Sequence, residues 1–176
     1  MPIHRVLRNL AYFEPVRFEQ QLGAYYDITP YEATPKTMSK VQKKLLADMA
    51  KSGTEKHLFG LYLGHHKFLL LSLKDENMVD PLVEEDKPKA WKRLDTTILR
   101  ATIFETILAI NQENEDKITY VKDATEAVQM VDEGKGQLAF LLNSTKIEEI
   151  TAIASKLEKM PQKSTYFWPK LLSGLV

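Results

Sequence analysis

Two nearly unbroken apolar runs, His57-Leu58-Phe59-Gly60-Leu61-Tyr62-Leu63 and Lys67-Phe68-Leu69-Leu70-Leu71-Ser72-Leu73, flank the short segment Gly64-His65-His66. A glycine-bearing turn between two strand-length stretches predicts a β-hairpin. The runs lack the apolar–polar alternation of a sheet with one wet face, so both faces are expected to be covered. The rest of the chain must therefore supply helices to cover a sheet.

Those helices are legible from period and punctuation. Glu14 to Tyr25 carries Phe18, Leu22 and Tyr25 near one face, and Tyr26 to Thr29 reads as extended up to Pro30. Thr34-Pro35 reads as a helix start, followed by Met38, Val41, Leu45 and Met49 at helical spacing and closed by Gly53. Asp75 to Pro88 is polar and reads as a surface loop. Ala90 to Ile110 reads as one helix with two apolar stripes, one of Leu94, Ile98, Ala101 and Leu108, the other of Ile103, Ile107 and Ile110. Apolar residues on two faces imply deep burial or a partner.

In the last third, Ile118 to Val121 is a predicted strand, Asp123 caps a helix bearing Ala127, Val128 and Val131, and Leu138 to Leu142 is a second strand. This β-α-β pattern predicts two neighbouring parallel strands with a right-handed crossover. Ser144 or Thr145 is expected to cap a further helix. Thr165 to Trp168 reads as an edge strand or bulge before Pro169, and Ile3 to Leu10 as a short strand. The expected fold is α+β: a mixed β-sheet with one hairpin and one β-α-β unit, helices packed against it. A length of 176 residues fits a single domain, 1–176. The apolar ending Ser173-Gly174-Leu175-Val176 suggests a fragment of a longer protein.

Composition narrows the function. The 24 basic residues match the 24 acidic ones, so the basic surplus of a nucleic-acid or membrane-surface binder is missing. There is no cysteine, which removes disulfides, thiolate metal sites and thiol catalysis. No apolar stretch approaches the ~20 residues of a membrane span. A cytoplasmic location is the simplest expectation, without membrane contact and with nucleic acid disfavoured.

Chemistry-bearing residues concentrate in two places. Met160 to Lys170 gathers Lys163, Ser164, Thr165, Tyr166 and Lys170 beside aromatic faces. Ammonium and hydroxyl groups suit phosphate oxygens, and aromatics suit a flat ring. The plainer reading is a loop and edge strand with its aromatics in the core. His4 and Arg5 form the second candidate, a proton carrier beside an anion clamp. Its plainer reading is an edge strand with two exposed polar side chains. His65 and His66 are adjacent in a turn, which suits solvation better than chelation, and no metal site is assigned. His57 stands alone in sequence. The acidic run Glu84-Glu85-Asp86 reads as solvated loop.

Several of these segments resemble a known family. His4-Arg5-Val6-Leu7, Leu94-Asp95 through Leu99, Gln137 to Asn143, and above all Met160 to Phe167 with Pro169-Lys170 are similar to the C-terminal portion of domain of unknown function 1015. The resemblance spans nearly the whole chain. Members are often labelled SpoOJ/ParB-like, and their N-terminal half resembles the ParB and sulfiredoxin superfamily. Its aspartate-glycine-histidine-histidine-arginine motif is not in this chain, and Gly64-His65-His66-Lys67 is only an echo of it. The resemblance implies an accessory or interaction domain without self-contained catalysis or a cofactor of its own. The two apolar stripes of Ala90 to Ile110 and the apolar ending lead to the expected partners, the N-terminal half of the same protein or a second copy in a homodimer. The alternative that the resemblance implies is part of a nucleotide-dependent phosphotransferase acting on a small hydroxyl amino acid such as serine. A nucleic-acid-binding module is the third expectation.

Overall fold

The computed structural model describes residues 1–155, 159–161 and 163. Six strands, β1 (His4–Leu7), β2 (Tyr26–Glu32), β3 (Leu58–Tyr62), β4 (Lys67–Leu73), β5 (Ile118–Val121) and β6 (Leu138–Leu142), form one sheet in the order β2-β4-β3-β6-β1-β5. The fold is α+β, with the hairpin β3–β4 where the apolar runs place it and helices against the sheet. The parallel pair is the point of difference. β5 and β6 do run in the same direction, but β1 lies between them, and every bonded pair is antiparallel. Pattern alone marks both strands but cannot reveal a third one inserted from more than 100 residues away. β1 is consequently an inner strand, and its polar pair is buried rather than exposed: His4 is 2% and Arg5 5% accessible.

Both faces of the sheet are covered, as the unbroken apolar runs require. On one face α2 (Met38–Ser52) and α5 (Ala124–Asp132) pack Leu45, Met49, Ala127, Val128 and Val131 against Val6, Tyr62, Phe68 and Leu141. The approach of α2 is close at Gly60, where an added Cβ would lie 3.1 Å from Met49 Sδ and 3.2 Å from Leu141 Cβ. The opposite face packs Phe59, Leu61, Leu71 and Phe140 against Phe18 and Leu22 of α1 (Pro15–Leu22) and against residues 98–110.

The segment read as one helix is built in pieces. It comprises α3 (Lys89–Lys92), α4 (Asp95–Leu99) and, continuous with α4, a π-helix over Arg100–Ile107. Wider turns put Ala101, Thr102, Ile103 and Phe104 out of water in succession, so the two apolar stripes serve one core. Thr102 donates to the Ile98 carbonyl at 2.7 Å and accepts from the Tyr26 hydroxyl at 2.6 Å.

Three local boundaries also differ. Thr34 and Pro35 form a turn before α2, whose first cap is Thr37. Glu76–Leu82, inside the expected loop, is a 3-10 helix that buries Val79. Helix α6 (Ile147–Ala154) is capped at Lys146, where the Glu149 carboxylate accepts the backbone N–H at 2.8 Å, and not at Ser144 or Thr145. In the hairpin turn, Gly64, His65 and His66 take φ of +76°, +49° and +64°. Two non-glycine residues thus occupy the left-handed region that such tight turns demand.

Candidate functional site

The ladders bring His4, Leu142, Val121 and the start of β3 to the same end of the sheet. The polar residues of the molecule's buried edge meet there. His57, one residue before β3, donates from Nδ1 to Asp95 Oδ1 at 2.7 Å, and its Nε2 lies 3.4 Å from Glu76 Oε1. Asp95 is available because it opens α4, where an acidic side chain suits the positive end of the helix. Arg93, between α3 and α4, bonds Glu76 Oε2 through Nε at 3.0 Å and Asp80 Oδ1 through Nη1 at 2.6 Å. Its Nη2 is buried and bonds to nothing among the described residues.

Burial pulls the His57 imidazolium down, but the Asp95 hydrogen bond and the charges of Asp95, Glu76 and Glu149 outweigh it. The pKa consequently lies above the ordinary 6.5. These groups wall a cleft of about 380 Å³ closed on its far side by Lys146, Glu149 and Ala152.

His4 has the opposite character. Leu142 N–H donates to its Nδ1 at 3.2 Å, so the neutral ring carries its proton on Nε2. Burial first, and then the neighbouring Arg5 charge, lower its pKa to about 4 against the pull of Asp123. His4 lines a second cleft of about 520 Å³ with Lys122, Asp123, Asn143, Ser144 and Lys146. Gly53, Thr54 and Lys146 border both clefts, and Lys146 Nζ donates to the Thr54 carbonyl at 3.2 Å between them.

Arg5 points to the other face of β1. Its Nη1 bonds the Ile3 carbonyl, its Nη2 bonds the Lys163 carbonyl at 3.0 Å, and its Cζ lies 5.5 Å from the Tyr120 ring centre. Lys163 Nζ lies 6.0 Å from the same ring. Two candidates separated by 158 positions are thus brought together on one tyrosine. Burial lowers the Arg5 pKa to about 10, with Tyr120 and Asp95 opposing it and Arg100 adding to it, so the guanidinium is still a cation at neutral pH. Tyr120 donates to Glu115 at 2.6 Å, and burial with that bond pushes its phenol up to about 12. Trp91 Nε1 donates to the Lys159 carbonyl at 3.1 Å, so Lys159 lies beside α3 while Lys163 lies beside β1. Ser164, Thr165, Tyr166 and Lys170 lie outside the described residues.

Sequence reasoning did not find His57, Asp95 and Arg93 as a group, because 38 positions separate the two members of the imidazole–carboxylate pair. The helix-opening position of Asp95 was the only local signal. Among the described residues, no cluster of three or more His, Cys, Asp or Glu side chains could hold a metal ion, and no helix is long and apolar enough to cross a membrane.

No curated protein and no solved structure matches the chain. Residues 1–97 match a family described as a protein of unknown function, DUF1015. The matched stretch contains His4, Arg5, His57, Glu76, Arg93 and Asp95, which is most of the polar set at the sheet end. It also covers more than half of the 176 residues, so the chain belongs to the DUF1015 family.

Proposed function

We propose that this chain is a ligand-binding accessory domain that holds a small anion, a phosphate or carboxylate group, between His57 and Arg93. One observation carries the reading: Arg93, whose buried Nη2 has no partner among the described residues, lines the same cleft as an imidazole biased towards its charged form. A buried donor left unbonded costs about 1–3 kcal/mol, which a ligand oxygen would recover. Glu76, Asp80 and Asp95 already bond Arg93 and His57, so they fix the donors in place. Arg5, whose guanidinium bonds the Ile3 and Lys163 carbonyls, adds positive charge near Asp95.

The same anion site suits the phosphate of a nucleotide-dependent phosphotransferase, the activity that the ParB/SpoOJ-like resemblance implies for a longer protein, with this domain presenting the acceptor. Titration with inorganic phosphate and acetate, followed by the His57 ring resonances, tests the reading. Phosphate is expected to shift His57, and Arg93→Met to weaken binding about tenfold. His57 resonances unmoved by millimolar phosphate and acetate would sink it.

A second reading, docking onto another part of the same polypeptide or onto a second copy, rests on Tyr12 and Val16. Their exposures are 104% and 63% beside the half-buried Phe13. Sedimentation of the chain at micromolar concentration separates these partners: a monomer removes the homodimer.

A further inference from the structure

The second cleft is lined by His4, a residue only 2% accessible, whose Nδ1 accepts from the Leu142 N–H and whose Nε2 makes no hydrogen bond among the described residues. The ring cannot turn to serve another role: Nδ1 is committed to the Leu142 amide, and that bond fixes the proton on Nε2. We propose that the two clefts are subsites of one groove, in which His4 Nε2–H donates to an uncharged oxygen, a hydroxyl or carbonyl, of a ligand whose anionic end lies between His57 and Arg93. This rests on the anion reading above and extends it to a substrate class, phosphorylated or carboxylated polyols and oxo-compounds.

Three observations favour an uncharged oxygen at this end. The donor is neutral, since the ring titrates only near 4. The nearest acid, Asp123, already accepts from Thr125 and Glu126 N–H in the first turn of α5, so the positive end of that helix is occupied and a second anion would meet a carboxylate. Asn143, a neutral amide whose Nδ2 is committed to the Met49 carbonyl, also lines this cleft. The two clefts adjoin at Gly53, Thr54 and Lys146, so a ligand reaching both would cross the Lys146–Thr54 hydrogen bond. Each cleft falls within the roughly 300–1,000 Å³ of small-molecule sites, so a ligand reaching from one to the other is larger than a bare phosphate.

The test compares inorganic phosphate, the anionic end alone, with ribose 5-phosphate, which adds hydroxyl and carbonyl oxygens. Long-range proton–nitrogen spectra of the labelled full chain at neutral pH are expected to show His4 as the Nε2–H tautomer. Phosphate is expected to shift His57 alone, and ribose 5-phosphate to shift both rings. By calorimetry ribose 5-phosphate is expected to bind about tenfold tighter than phosphate, an advantage that His4→Gln reduces to about twofold while phosphate binding is unchanged. An unmoved His4 with His57 shifted by ribose 5-phosphate overturns the shared groove and leaves the anion site standing. If neither ring responds to either compound, both readings fall. The wild-type spectra decide the matter even if the His4 variant does not fold.

Discussion

His57 and His4 carry the same ring at one end of the sheet and are held in opposite states by their surroundings. For His57 the folded pKa is above the unfolded 6.5, so its contribution to stability is present below 6.5 and is lost as pH rises through the raised value. Asp95→Asn removes the dominant raising contact, and the difference in urea midpoint between pH 6 and pH 8 is expected to shrink. For His4 the folded pKa of about 4 lies below the unfolded 6.5, so the unfolded chain takes up the proton first. Its contribution is complete above 6.5 and falls away towards pH 4, by up to roughly 3 kcal/mol. His4→Leu is expected to flatten that acid-side loss, read as the unfolding midpoint at pH 7 against pH 4.5. The sequence marked His4 and Arg5 as chemically interesting, but the state of each depends on groups beyond its neighbours. The Leu142 amide and the Lys163 carbonyl arrive from the far end of the chain, and no local pattern announces them.

At the scale of elements, what short-range chemistry dictates was legible and what winding dictates was not. Asp123 caps α5 as its position before an apolar-periodic stretch implies, accepting from Thr125 and Glu126 N–H at 2.8 and 2.9 Å. Asp123→Ala is expected to cost about 1 kcal/mol in urea unfolding. The hairpin was legible because both strands and the turn lie within 16 residues, Leu58 to Leu73, and Gly60 within it lets α2 approach closely. Gly60→Val would drive branched carbons against Met49, Leu141 and Leu45, with an expected loss of roughly 1–3 kcal/mol. Residues 90–110 were misread as one helix because apolar spacing cannot distinguish α from π winding. In both cases the same isoleucines are apolar, and only the π turns bring Ile103 and Phe104 into line with Ile98.

For the molecule as a whole, the strand order holds a sharper lesson. The family match ends at residue 97, yet both neighbours of β1 come later, β5 from Ile118 and β6 from Leu138. A fragment of residues 1–97 would leave β1 without a ladder and β3 with an open edge. It is expected to lack a dispersed amide spectrum, whereas residues 1–155 retain all six strands. The α+β class followed from composition and period. The order of strands did not, because it depends on pairings that cost loop-closure entropy over more than 100 residues and leave no local trace.

The late arrival of β6 also matters while the protein is being made. During synthesis, at about 5–20 residues per second, the hairpin and β2 can assemble early, but β3 offers bare backbone to any passing strand for several seconds. The nascent chain therefore carries a sticky seam until residue 142 clears the ribosome tunnel, and a factor that shields emerging chains is best placed to guard it in that interval.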